Sequence, residues 1–273
     1  MHAGMRGASA DSLADLVAEL TSALAAGGQG GRTGEELFAV SGLLGTEPAL
    51  RRVLTDPSRS AEAKQGLVRG VLDGKISAST LDLVASAAGR RWAATRDLGD
   101  ALEYLGAAAV VKAAEAAGEA DALEDQLFSV SQLISTSAPL RDALADPART
   151  VADKQGLLRG LLAGKVTAGT QALVDQAVAG SHRNVVVAIE EFQKVAAAQR
   201  DRLVALVRVA RPLEVDKEQR LAQALSAQYG RPVHLNTVID PHVLGGVRVE
   251  IGDDVIDGTV ASRLDDARRR LAG

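Results

Sequence analysis

Glu36-Leu37-Phe38-Ala39-Val40-Ser41 returns ninety residues later as Gln126-Leu127-Phe128-Ser129-Val130-Ser131. At the same offset Asp56-Pro57 becomes Asp146-Pro147, and Lys64-Gln65-Gly66-Leu67 becomes Lys154-Gln155-Gly156-Leu157. Arg69-Gly70 maps onto Arg159-Gly160, and Gly74-Lys75 onto Gly164-Lys165. From Leu37 to Ala87 about half of the positions are identical, without a gap. The unit is longer than the repeats of solenoid arrays, so the pattern reads as a tandem duplication giving two successive globular domains.

Each copy reads as short helices. Leu37, Val40, Leu43 and Leu44 recur at helical spacing, and Thr33 with Glu36 three residues on has the form of a capping box. Leu50, Val53 and Leu54 predict a short helix that Asp56-Pro57 ends. Ser60 is placed to cap the next helix, carrying Leu67, Val71 and Leu72 before Gly74 supplies its terminal turn. Ser77 is placed to cap a fourth, with Leu81 and Val84. A long helix from about Thr95 to Ala117 closes the first copy and opens the second, whose last helix runs from about Val185 to Arg200.

Beyond Asp201 the pattern changes. Leu203 to Val209 is β-branched and extended, with Pro212 closing it. Val215 to Tyr229 reads as an amphipathic helix ending at Gly230, and Val233 to Ile239 alternates again, as do Val247, Val249 and Ile251. A final helix is expected over Val260 to Leu271, with Leu264 and Leu271 inward and Arg268 to Arg270 near its end. The fold class is therefore mainly α: helical bundles at 1–105 and 106–200, then a small α+β domain at 201–273.

Composition narrows the function. The 273 residues carry 31 basic and 35 acidic side chains, a net charge of −4, and only 2% aromatics within 47% hydrophobic residues. Such a chain buries enough apolar surface to fold, and it lacks both the basic patch and the stacking rings of a nucleic-acid binder. Cysteine is absent, which removes disulfides, thiolate nucleophiles and thiolate-bound zinc. Met1 to Ala10 has no signal-peptide core, and the longest apolar run, Leu105 to Val111, closes at Lys112. Any association with a membrane is expected to come through a partner.

Local patterns that mimic active sites dissolve on inspection. Gly27 to Gly34 lacks the spacing of a dinucleotide loop and follows a helix, so it reads as a flexible linker. Gly70 to Lys75 is one residue short of a phosphate loop, and Ile76 stands where a magnesium-binding hydroxyl belongs. Asp253, Asp254 and Asp257 have the chemistry for a hard cation, the feature an enzyme here would need, but Gly252-Asp253-Asp254 reads as a turn between strands. His182, His234 and His242 lack metal-ligand spacing, and no Gly-x-Ser-x-Gly elbow occurs. No catalytic, cofactor-binding or metal-binding residue is assigned. What remains is surface, and an Ala-rich bundle can offer a groove to a partner's amphipathic helix.

The stretch Val233-His234-Leu235-Asn236-Thr237-Val238-Ile239-Asp240-Pro241-His242-Val243-Leu244-Gly245-Gly246-Val247-Arg248-Val249-Glu250-Ile251-Gly252 resembles the signature of the F-type ATP synthase delta subunit. The mitochondrial counterpart of that family is the oligomycin-sensitivity-conferring protein. Val255-Ile256-Asp257-Gly258-Thr259-Val260, then Arg263-Leu264 and a basic helix, resembles the family's ending, and the second helical copy resembles its helical domain. The first copy departs from the single-domain pattern. Arg91-Trp92 with Asp97-Leu98 looks like the longer actinobacterial form.

The resemblance implies a non-catalytic stator that links the catalytic head to the peripheral stalk at the cytoplasmic face of the membrane. The helical domain would bind N-terminal helices of the alpha subunits, and the C-terminal module would bind the b subunits of the stalk. By position, residues 106–200 would dock the alpha-subunit helix and residues 1–105 would form an added brace. Within the signature, Gly245 and Gly246 are expected to allow close backbone approach or positive φ where a strand begins. Gly252 and Asp253 belong to the strand turn, Asp257 and Gly258 to the turn into the last helix, and Thr259 is that helix's N-cap. Arg263 and Leu264 are the candidate stalk contacts. The alternative is a helical adaptor unrelated to ATP synthase.

Overall fold

The computed structural model describes residues 5–182, 184–199, 203–241, 243, 245–252 and 254–260. The chain divides into two compact units, Met1–Ala196 and Ala197–Gly273.

The first unit holds α1 (Ala8–Ala25), α2 (Gly30–Thr46), α3 (Pro48–Thr55), α4 (Ala61–Leu72), α5 (Ala78–Gly89), α6 (Asp97–Ala116), α7 (Ala120–Thr136), α8 (Ala138–Ala145), α9 (Val151–Leu162), α10 (Ala168–Ala179) and α11 (Val185–Gln199). The duplication is visible in the helix ends, since α7 to α10 each begin ninety residues after α2 to α5. Shifted by the same amount, α1 lands on α6, and α6 in turn overlaps α11. One helix therefore closes the first copy and opens the second.

That sharing changes the expected domain plan. A boundary between residues 105 and 106 falls inside α6, whose residues from Leu98 to Ala114 are buried on most sides. One continuous apolar core runs from Leu13 of α1 to Ala196 of α11. The two copies are not separate globules, because neither could keep α6 without leaving its other face bare.

The capping chemistry repeats with the copies. The Ser60 and Ser77 side chains accept from the amides of Ala63 and Thr80, and their counterparts Thr150 and Thr167 accept from those of Asp153 and Thr170. Gly74 and Gly164 both sit at φ 70° after α4 and α9. The box expected at Thr33 and Glu36 does not form. Helix α2 starts earlier, at Gly30 behind Gln29, and Thr33 is buried inside it.

Glu36 reaches instead across the bundle, accepting from the Ser77 amide at 3.0 Å and the Ser77 hydroxyl at 2.6 Å. In the second copy Gln126 Oε1 takes the same place, accepting from the Thr167 amide and the Thr170 hydroxyl, each at 2.8 Å.

The glycine stretch is not the expected linker either. Only residues 26–29 form the connection, and Gly30, Gly31 and Gly34 belong to α2. A Cβ at Gly30 would lie 2.7 Å from the Ala109 carbonyl oxygen, and one at Gly34 would lie 2.6 Å from Val110 Cγ2. From the other side, a Cβ at Gly106 would meet Phe38 Cε1 at 2.6 Å and the Gly34 oxygen at 3.1 Å. These glycines let α2 and α6 touch backbone to backbone. Ser41 Oγ extends the contact by donating to the Gly99 carbonyl at 2.9 Å.

Among its described residues, the second unit is a mixed sheet packed with one helix. It holds β1 (Leu203–Val209), α12 (Val215–Tyr229), β2 (Val233–Ile239), β3 (Val247–Ile251) and β4 (Asp254–Asp257), in the order β2-β1-β3-β4. β1 and β2 pair in parallel through the α12 crossover, while β1–β3 and β3–β4 are antiparallel. Ala205, Val207, Val209, Val233, Val249 and Ile251 pack with Leu225 of α12. Gly230 ends α12 in the left-handed conformation.

The α2–α6 contact reverses the usual sign of a helix glycine substitution. Gly106→Ala is expected to destabilise the chain by about 1–3 kcal/mol through overpacking. Gly66→Ala, in α4 with no atom within 4 Å of the new Cβ, is expected to stabilise it by about 0.5–1 kcal/mol. Urea unfolding of both variants measures the two signs, and equal signs would refute the contact's role.

Candidate functional site

The signature builds a clasp at one end of the small sheet. Gly245 and Gly246 take φ of 147° and 81°, just before β3. A Cβ at Gly246 would stand 2.4 Å from the Gly258 oxygen and 2.9 Å from Thr259 Cα. Only a bare backbone fits there. Two backbone hydrogen bonds close the clasp, Gly258 N–H to the Val247 oxygen and Val260 N–H to the Gly245 oxygen, both at 2.9 Å. Gly252, at φ 58°, makes the turn from β3 to β4.

Asp254 and Asp257, beside this clasp, are hydrogen-bonded within the sheet unit. Asp257 Oδ1 accepts from the Thr259 amide at 3.0 Å. The side-chain and backbone hydrogen bonds from Thr259 hold the Asp257 carboxyl below its ordinary value. Asp257 is the last residue of β4, paired with Arg248, so the turn to the next segment begins one residue later than expected. Asp254 opens the same strand opposite Ile251 and accepts from the Tyr229 hydroxyl at 3.3 Å. Three residues apart on a strand, Asp254 and Asp257 face opposite sides of the sheet, so they cannot converge on one cation. Asp253, His242, Arg263 and Leu264 lie outside the described residues. Among the described residues no three His, Cys, Asp or Glu side chains form a metal-binding group.

Thr259 is buried and precedes Val260. Val260 is helical, and the rest of the helix Thr259 was expected to cap lies outside the described residues.

The helical unit offers two features that spacing alone did not reveal. Four large apolar side chains, Leu133, Val151, Leu161 and Val187, are 40–47% exposed, and all four belong to the second copy. Their counterparts in the first copy are Leu43 and Val71, both part-buried, then Ala61 and Asp97. Leu43 and Val71 line a small apolar void with Val40, Leu50, Val68 and Leu102, whereas Leu133 and Leu161 at the equivalent positions are exposed. The other feature is a row of carboxylates on α6, Asp97, Asp100 and Glu103, unusual in so buried a helix.

The comparisons with known proteins follow this architecture. The family model "ATP synthase delta (OSCP) subunit" matches residues 103–271, which takes in the second copy and the small sheet unit but not the first copy. "ATP synthase subunit delta" of Nocardioides sp. is 59% identical over 88% of this chain and 86% of its own length. The Kineococcus radiotolerans protein of that name is 48% identical over 91% of each chain. The Streptomyces coelicolor protein is 45% identical over 98% of this chain and 99% of its own. A helical unit leading into a small mixed sheet with the double-glycine clasp is thus the build of an ATP synthase stator subunit. The chain belongs to the ATP synthase delta (OSCP) subunit family. That membership sets aside the unrelated adaptor, and near full-length matches show that the added first copy is shared by these relatives. Among the described residues no helix is long and apolar enough to cross a membrane.

Two side chains test the geometry. Burial alone would raise the Glu36 carboxyl, but hydrogen bonds from Ser77, Thr80 and Arg32 together outweigh it and hold the group at about 2 instead of 4.5. A depressed folded value means that this stability is present above 4.5 and is lost as pH falls through about 2. Glu36→Gln, which copies the neutral Gln126, is expected to cost on the order of 2 kcal/mol at neutral pH, with the difference from the parent vanishing on acidification. Urea midpoints between neutral pH and pH 2 read it directly. In the clasp, Gly246→Ala is expected to cost about 1–3 kcal/mol and to lower amide-exchange protection at Gly258 and Val260.

Proposed function

We propose that this delta-type subunit holds the head of the ATP synthase to its peripheral stalk, with the second helical copy, residues 106–200, docking N-terminal helices of the alpha subunits. The observation that carries the assignment is the asymmetry of exposed apolar side chains. A helix partner needs accessible apolar side chains, and within the described residues of the helical unit Leu133, Val151, Leu161 and Val187 supply them in the second copy and not in the first. Residues 1–105 act as a brace. They grip α6 through Gly30, Gly34 and Phe38, and so stiffen the helix from which the second copy is built.

The small sheet unit takes the distal end of the b subunits. Val215 and Ile239, more than half exposed, support a contact there, since the Thr237 hydroxyl bonded to Glu218 at 3.1 Å holds the first turn of α12 near the end of β2. Arg263 and Leu264 are the further stalk contacts. The subunit performs no chemistry of its own, needs no cofactor or metal, contacts no nucleic acid, and reaches the cytoplasmic face of the membrane only within the complex. Its work is mechanical: it resists the torque that the rotor transmits.

Removing residues 1–105 would cut α6 in half, so point variants of the full chain test the reading. Leu133→Asp with Leu161→Asp is expected to weaken binding of an alpha-subunit N-terminal peptide by about tenfold or more while helix content is unchanged. Leu264→Asp is expected to weaken binding of the soluble part of the b subunit and to leave peptide binding alone. Calorimetric titration of each pair distinguishes the sites. Undiminished peptide binding by the double variant would overturn the docking assignment.

A further inference from the structure

We propose that the seam between the two helical copies is a proton-operated clasp centred on Asp100 of α6. Asp97, Asp100 and Glu103 follow one another at helical spacing on one side of that helix. Asp97 ties α6 to the first copy, accepting from the Ser9 hydroxyl at 2.6 Å and the Ala94 amide at 3.0 Å. Glu103 ties it to the second copy, accepting from Gln176 Nε2 at 2.8 Å, the Ser181 hydroxyl at 2.7 Å and the Ser181 amide at 3.3 Å. Both carboxylates are buried, and Glu103 Oε1 occupies the space a Cβ at Gly180 would need.

Asp100 lies between these two anchors without equivalent donors among the described residues. It lines a cavity of about 430 Å³ bounded by Ser41, Leu44 and Gly45 of α2, Arg51 of α3, and Ser181 and His182 after α10. The cavity thus borders both copies. Among the described residues, five charged or titratable side chains surround Asp100. Arg96 stands 4.0 Å away, and Arg51 lines the same cavity with its Nη1 donating to the Leu44 oxygen at 2.8 Å. His182 faces it from the second copy, and Asp97 and Glu103 flank it on α6.

The sign follows from these neighbours. Burial first, then the charges of Glu103 and Asp97, raise the Asp100 carboxyl above 3.8, against the opposing pull of Arg96 and His182. A group raised in the folded state contributes stability below its ordinary value that is lost as pH rises through the raised one. At neutral pH an ionised Asp100 presses against the Glu103 carboxylate that holds the end of α10. Its protonation as pH falls removes that repulsion, and the seam tightens. The inference does not depend on which partner the second copy takes.

Site-resolved amide exchange on the full chain, corrected for the intrinsic pH dependence of exchange, tests it. Protection of the Ser181 amide, which donates to Glu103, is expected to rise by about threefold or more as pH falls from 7.5 to about 4, the ordinary carboxylate range. Asp100→Asn is expected to show the higher protection at both pH values, and His182→Gln is expected to keep the parental rise. An unchanged pH dependence in Asp100→Asn would overturn the proposal. Its disappearance in His182→Gln would do the same, by making the histidine the sensor.

Discussion

Direct backbone contact between α2 and α6 is the constraint on which the helical unit depends. Gly30, Gly34 and Gly106 leave no room for a Cβ, and Phe38 fills the space that Gly106 vacates. Close-packed interiors tolerate little adjustment, so removing side chains is the only way to bring two helix axes this near. Ninety residues on, the positions of those glycines are Ala120, Glu124 and Ala196. The second copy therefore lacks the means to repeat the contact, and α6 is spent in the first.

A helix used by two copies makes duplication into fusion. Both copies keep hydroxyl caps on α4 and α9 and on α5 and α10, left-handed glycines after α4 and α9, and a cross-bundle acceptor at Glu36 or Gln126. What they do not keep is surface. The first copy turns its apolar residues inward around α6, and the second leaves several exposed. This division parallels the family profile, which covers the second copy and the sheet unit but not the first copy.

Much of the fold was legible because its signals are local. Ser60 and Ser77 cap helices since a hydroxyl satisfies the amide three residues on, and Gly230 ends one since glycine enters the left-handed region freely. The double glycine before β3 carried its own warning of a close approach. Thr33 and Glu36 carried an equally good local signal for a cap and were misleading, because Ser77, forty-one residues away, offers Glu36 two donors. Gly27 to Gly34 read as linker for a related reason. Glycine has poor helix propensity, and nothing within the segment announces that α6 will require it. The carboxylate row on α6 had a spacing to be noticed, yet only its burial made it informative.

By itself the sequence determined the duplication, the helix and strand segments, the sheet unit and the family, because each rests on spacing, capping or a contiguous motif. Tertiary structure alone decided that the two copies share one core, that the glycines serve packing, and that within the helical unit the second copy carries the exposed large apolar side chains. It also decided that Asp254 and Asp257 point apart. These outcomes depend on which distant backbone arrives against a given residue, and no periodicity along the chain encodes the distance between two helices that meet through space.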